Sequence, residues 1–346
     1  TYSASGGLRI NDEIMWFTRS GDVLTVGRAQ WGTTAAAHEA DDPVQECYRG
    51  SGVNVRDVVD DLLTTYAGID SAYINATDWD AEESLWLSAM DLTFCISEPT
   101  GVNKLLSELT EQCQIQIWWD ERAQEIRLQA IAPTEGNASV GVLDESAHFL
   151  ADSISVKDLS DDRITQVWIY YALADYTDEQ YTRLYIQADT DAESAQEYGD
   201  SRIKKIKSRW FDSSDDGLAI QTASRIFQRL VRMPREIKFD LDPKDVSDIW
   251  TGETIDIKTR QITDAYGAEQ LTRIQIMEVV ESEQGAQYSF VAQTSAYDTG
   301  DRNAFIGPNT LGAYTAESDA NKLANAFIGA NSAPYFADGE DAYRII

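Results

Sequence analysis

From residue 153 onward the chain runs as short apolar segments broken by turn residues, a rhythm too tight for helices and the strongest restriction on its fold. Ile154–Val156, Ile164–Tyr171, Tyr181–Gln187, Ile203–Arg209, Ile237–Leu241, Thr254–Lys258, Leu271–Val280 and Gln287–Thr294 are rich in β-branched and aromatic residues. Turns such as Trp250–Glu253 and Asp264–Gly267 join them. One helix is predicted at about 215–231, with Ala219, Ala223, Ile226, Phe227 and Leu230 on its buried face. Such spacing predicts an antiparallel barrel or sandwich and not a doubly wound parallel sheet.

The N-terminus repeats the pattern. Residues 8–10, 13–18 and 22–28 read as a β-meander turned at Asn11-Asp12 and Ser20-Gly21-Asp22. A small-residue stretch, Arg28–His38, then leads to a further strand, Val44–Tyr48. Between the two β-rich parts the period changes from two to 3.6. Val55, Val58, Val59, Leu62, Leu63 and Tyr66 make one continuous stripe, with Asn54 placed to cap the helix and Gly68 to end it. A second helix is predicted at about 101–113, with Val102, Leu105, Leu106, Leu109 and Cys113 on one face. A hairpin follows over 115–131, turning at Asp120–Ala123.

Charge restricts function more than fold. The chain has 346 residues, with 28 Lys+Arg against 59 Asp+Glu, a net charge of -31. A field of that sign repels nucleic acid and anionic membranes. Segment 201–260 departs from it, holding 13 basic and 10 acidic residues, a local balance of +3 that leaves -34 on the remainder. No stretch approaches the roughly 18 apolar residues of a membrane span.

The catalytic vocabulary is thin. His38 and His148 lie far apart and without ligand-spaced neighbours, which argues against zinc. Cys47, Cys95 and Cys113 are an odd number without a CxxC and are expected as reduced, buried thiols. Gly199-Asp200-Ser201 has no histidine after it to serve as base. Asp240, Asp242 and Asp245 offer hard oxygen ligands but lack the glycine and terminal glutamate of an EF-hand loop, and read as a solvated strand end. Glu82-Glu83, Asp161-Asp162 and Asp215-Asp216 are adjacent pairs, unlike the opposed carboxyls of a glycosidase. No phosphate-cradling loop occurs, and no cofactor is expected. The basic stretch Arg202–Trp210 reads as a salt-bridging strand in preference to a nucleic-acid patch.

Interface candidates are of another kind. Adjacent strand residues Trp118 and Trp119 put one ring on each face, one for the core and one for an interface. Asn303–Gly307 recurs as Asn325–Gly329, so Phe305-Ile306 and Phe327-Ile328 are equivalent apolar pegs, expected to dock into neighbouring surfaces.

Several of these segments together resemble a known family. Gly7–Thr18, Leu24–Val26, Arg28–His38 and Val44-Gln45 are similar to a segment common in tail proteins of long-tailed phages. Val55–Leu63, Ala67–Ile69, Glu98–Thr100, Leu105–Leu109 and Ile117–Glu121 follow in the order seen in the tail-tip and baseplate hub family. Glu197–Gly199, the 219–230 helix, Asp240–Asp242, Gly252–Ile257 and Phe336–Ile346 extend the likeness over most of the chain.

The resemblance implies a mainly β (α+β) fold with two hub-type antiparallel β-barrels. Residues 1–50 and the return strands 133–162 would build the first, part of which is expected to lie outside this chain. An α/β module at 51–132 is inserted, 163–297 forms the second barrel, and 298–346 leads away to the tip. It further implies a homotrimer at the distal end of the virion tail. Its partners would be the distal tail protein or tail-tube hexamer, the tape-measure C-terminus, fibre or central tip proteins, passing DNA without specific binding and, indirectly, the host envelope. An acidic lumen would repel DNA phosphate over the Debye length of about 8 Å, although a salt-rich habitat also favours acidity. The competing functions are a tail-associated cell-wall or polysaccharide hydrolase and a carbohydrate-binding β-sandwich.

Overall fold

Turn residues of the N-terminal meander fold as their chemistry allows. Asn11 and Gly21 both take positive φ and separate β1 (Ser5–Ile10), β2 (Glu13–Ser20) and β3 (Val23–Gln30). β4 (Val44–Asn54) returns beside β1 and pairs with β5 (Asp91–Ile96), giving an antiparallel sheet ordered β3-β2-β1-β4-β5. This computed structural model describes residues 2–131, 139–188, 201–230, 234–246, 249–263, 266–283 and 286–294.

The predicted 54–67 helix is α1 (Val55–Asp61) continued by a π-helical turn, Leu62–Tyr66. Asn54 caps it, accepting from the Arg56 amide at 3.0 Å, and Gly68 follows with φ +71°. A second helix–π pair, α2 (Ala76–Glu82) with Glu83–Leu87, has no counterpart among the elements expected from periodicity. It shows no apolar stripe, because Trp79 alone of α2 is buried. α3 (Val102–Cys113) ends at Gln114 in the left-handed region, and the hairpin β6 (Ile115–Asp120) and β7 (Glu125–Ala130) follows. Val58, Val59 and Leu62 are buried as their spacing predicts. Leu106 is only partly buried, since Leu105 and Leu109 face the core more squarely.

Every run read as a strand after residue 153 contributes to one. β8 (Val142–Asp144) and β9 (Ser155–Asp158) precede a three-stranded sheet made by β10 (Gln166–Asp175), β11 (Asp178–Ala188) and β12 (Ile203–Lys207), ordered β11-β10-β12. α4 (Asp216–Leu230) covers its inner face. β13 (Arg235–Leu241), β14 (Thr254–Thr263), β15 (Glu269–Glu283) and β16 (Gln287–Thr294) complete a six-stranded sheet, β8-β14-β15-β16-β13-β9. The fold is mainly β with several largely antiparallel sheets. None closes into a barrel among the described residues: β8 and β9, at the two ends of the largest sheet, have only 3 and 4 residues and pair only inward.

The cores explain how these parts hold together. Val59, Leu62, Leu105 and Leu109 share one cluster with Val167 and Ile169 of β10 and Ile226 of α4, so the helices of the 51–132 segment and the three-stranded sheet bury each other. Ile237, Phe239, Ile257, Ile274 and Phe290 form a separate core on the six-stranded sheet, where Phe239 and Phe290 stack at 5.2 Å. No helix among the described residues is long and apolar enough to cross a membrane.

Candidate functional site

Alternation along β6 separates its two tryptophans, as their adjacency predicts. Trp119 is exposed and meets Tyr73 edge-on at 5.6 Å. Trp118 turns into a cleft of about 280 Å3 between α2, the β6–β7 hairpin and the turn before β14. Gly252 makes that approach possible: its φ is +91°, and a Cβ there would lie 2.9 Å from the Trp118 ring. Gln129 donates to the Gly252 carbonyl at 3.1 Å, and Gln275 donates to Gln129 at 3.2 Å. Arg122 covers the Trp250 ring at 3.8 Å.

Two carboxyl groups of this cleft are perturbed in the same direction. Burial raises both Glu82 and Glu253, and Arg127 partly offsets the effect at Glu253. A raised carboxyl beside aromatic rings is the setting in which a general acid keeps its proton. Glu82, however, accepts the Ala130 amide at 2.7 Å, which ties α2 to β7. Asp120 accepts the Arg122 and Ala123 amides at 2.9 and 3.1 Å and so closes its own hairpin. The cleft is thus a seam that fastens the hairpin to the loops of the six-stranded sheet. The sequence points to Trp118 but reads Glu82 only as half of the pair Glu82-Glu83 in a solvated turn. Glu82 instead ends α2 with its carboxyl in the cleft; Glu253, 171 residues further on, shares no motif with it.

A second constellation is built on Glu13. This fully buried side chain accepts from Arg28 Nε at 2.6 Å, from the Ala29 and Ala36 amides at 3.0 Å each, and contacts His38 Nε2 at 2.8 Å. Arg28 is the main reason that its carboxyl lies far below the ordinary carboxylate range. The small-residue stretch Arg28–His38 is therefore a loop hung on one carboxylate. Its tip reaches β10. Gly32 has φ +78°, and a side chain there would overlap the Ala174 carbonyl, while Trp31 meets Tyr176 at 4.7 Å.

The remaining candidates are dispersed. Asp240 accepts from Gln287 at 2.7 Å, Asp242 caps a short turn through the Lys244 amide at 3.1 Å, and Asp245 lies 3.9 Å from Lys244 Nζ. No group of three or more His, Cys, Asp or Glu residues is arranged to hold a metal ion among the described residues. Asp216 accepts from Tyr171 at 2.7 Å, while Asp161 is exposed. His148 Nδ1 accepts from the Asp144 amide at 3.0 Å. All three cysteines are free and buried, and burial pushes the Cys113 thiol up to about 12. In the basic strand, Lys204 pairs with Glu111 at 2.9 Å and Arg209 grips Glu108 with two bonds of 2.9 and 2.8 Å. Gly199-Asp200, Phe305, Ile306, Phe327 and Ile328 lie outside the described residues.

No protein-family model matches the chain, and no curated protein matches it. Solved structures do resemble it. A chain of the native gene transfer agent (GTA) virion aligns at 12% identity and a TM-score of 0.44, over 70% of this chain and 47% of that one, so this chain spans about half its length. A tail protein from Neisseria meningitidis MC58 aligns at 11% identity and 0.44, over 85% and 93% of the two chains. The 43 kDa tail protein of prophage MuSo2 from Shewanella oneidensis aligns at 11% and 0.41, over 82% and 84%. Tail and virion proteins are thus what the chain is similar to in structure, the class its sequence resembles. At these distances no residue's role transfers.

Proposed function

We propose that the chain is a structural protein of the virion tail, a hub whose three copies close the distal end of the tail tube and connect it to fibre or tip proteins. The observation that carries this reading is an open strand edge bearing apolar side chains. On β3, an eight-residue edge of its sheet, Val23 is 65% exposed and Val26 42%. Monomers normally shorten, charge or cover such edges, and exposed apolar surface marks association.

In this reading neighbouring copies complete the open sheets, and the two β-rich parts supply the two barrel equivalents of each subunit. Three subunits then match a hexameric tube. The α/β module at 51–132 lies between these parts, and 298–346 carries Phe305-Ile306 and Phe327-Ile328 to adjacent proteins. The acidic chain lines a channel that DNA crosses without being held. Native mass spectrometry and electron microscopy of the purified full chain test the reading. A threefold ring supports it; a monomer or a sixfold ring of identical chains overturns it.

A further inference from the structure

The three-stranded sheet has two unlike faces. Val167, Ile169 and Tyr171 of β10 point to α4 and the main core. On the opposite face, Trp168 stands across from Ile186 of β11 on one side and Lys205 of β12 on the other; Tyr170 stands across from Leu184 and Lys207 in the same way. Leu184, Ile186 and Ile203 are 44%, 47% and 40% exposed, so among the described residues this face is open and largely apolar. It is also basic. Lys205 lies 5.0 Å over the Trp168 ring, and among the described residues neither it nor Lys207 has a carboxylate partner. Their neighbours Lys204 and Arg209 are neutralised by Glu111 and Glu108 of α3.

We propose that this face is a second contact between copies of the chain, beside the open edge of β3, and that it is head-to-tail. The inference deepens the hub reading and rests on it for the number of copies. Chains carrying -31 each repel one another. They approach most readily where positive charge is exposed without a carboxylate beside it among the described residues, as at Lys205 and Lys207. A two-fold contact of this face with itself would bring two basic faces together, like charge on like. The face therefore meets an acidic surface elsewhere on the next copy. Such heterologous contacts close into rings or run on as filaments. The apolar strip supplies the buried area, and the lysines select the sign and fix the register.

Sedimentation of the full chain tests this, comparing wild type with the double variant Lys205→Glu/Lys207→Glu and with Lys205→Arg/Lys207→Arg. The charge-reversed pair should weaken association at least tenfold, and the arginine pair should assemble as wild type does. Zero-length carboxyl–amine cross-linking of mixed isotopic wild-type chains removes dependence on how the variants fold. Lys205 or Lys207 should join to a carboxylate of another copy. A wild-type ring that persists in the charge-reversed variant, or cross-links that avoid both lysines, overturns the inference and leaves the hub reading standing. A monomeric or two-fold dimeric wild type overturns both.

Discussion

Glu13 illustrates how one residue organises a distant stretch of chain. Its partners lie 15 to 25 residues further on, and they include the backbone amides of Ala29 and Ala36. Glu13→Gln replaces one acceptor oxygen by a donor facing those groups and should destabilise the chain by about 2 kcal/mol at neutral pH, read as a lower denaturant midpoint. The effect should depend on pH. The folded carboxyl lies below its ordinary value of 4.5, so its stabilisation is fully present above that value and is lost as pH falls beneath it. The gap between wild type and variant should thus shrink on acidification below pH 4.5; a gap that stays constant would show that the charge on Glu13 is irrelevant.

At the scale of elements, the α1–π segment and the hairpin seam each rest on close packing of named side chains. Leu62 begins the π-helical turn and is 1% exposed within the main core. Leu62→Ala should cost about 2–5 kcal/mol, and a change below about half a kcal/mol would mean that the site collapses without loss. Gly252→Ala tests the seam. The added methyl meets Trp118 at 2.9 Å and Gln129 at 3.0 Å, on a backbone with φ +91°. The expected destabilisation exceeds about 1 kcal/mol, measured by thermal unfolding; an unchanged midpoint would show that the turn shifts freely away from the indole. The helix at α1 could be predicted because its stripe is regular. α2 could not, because a helix that buries a single tryptophan leaves no periodic trace.

For the whole molecule, the net charge of -31 sets the response to salt. Repulsion among exposed carboxylates opposes compaction, and ions screen it. Raising NaCl from about 0.1 to 1 M shortens the Debye length from about 10 to 3 Å and should raise the thermal midpoint of the isolated chain. A falling midpoint would mean that surface ion pairs such as Arg183–Asp216 and Arg235–Asp158 outweigh the repulsion. The same field governs assembly, since each copy must present either apolar area or reversed charge to be approached.

The sequence by itself determined the β-rich class, the eight strands after residue 153, the α1 and α3 helices, the buried thiols and the opposite facing of Trp118 and Trp119. These follow from period and local turn chemistry, which act over a few residues. Only the tertiary structure decided that no sheet closes among the described residues, that Glu82 and Glu253 share a cleft, and that Arg28–His38 hangs on Glu13. It also decided that Lys204 and Arg209 pair inward while Lys205 faces out. Each of those depends on which segments distant in sequence come within hydrogen-bond reach, and no local periodicity encodes that distance.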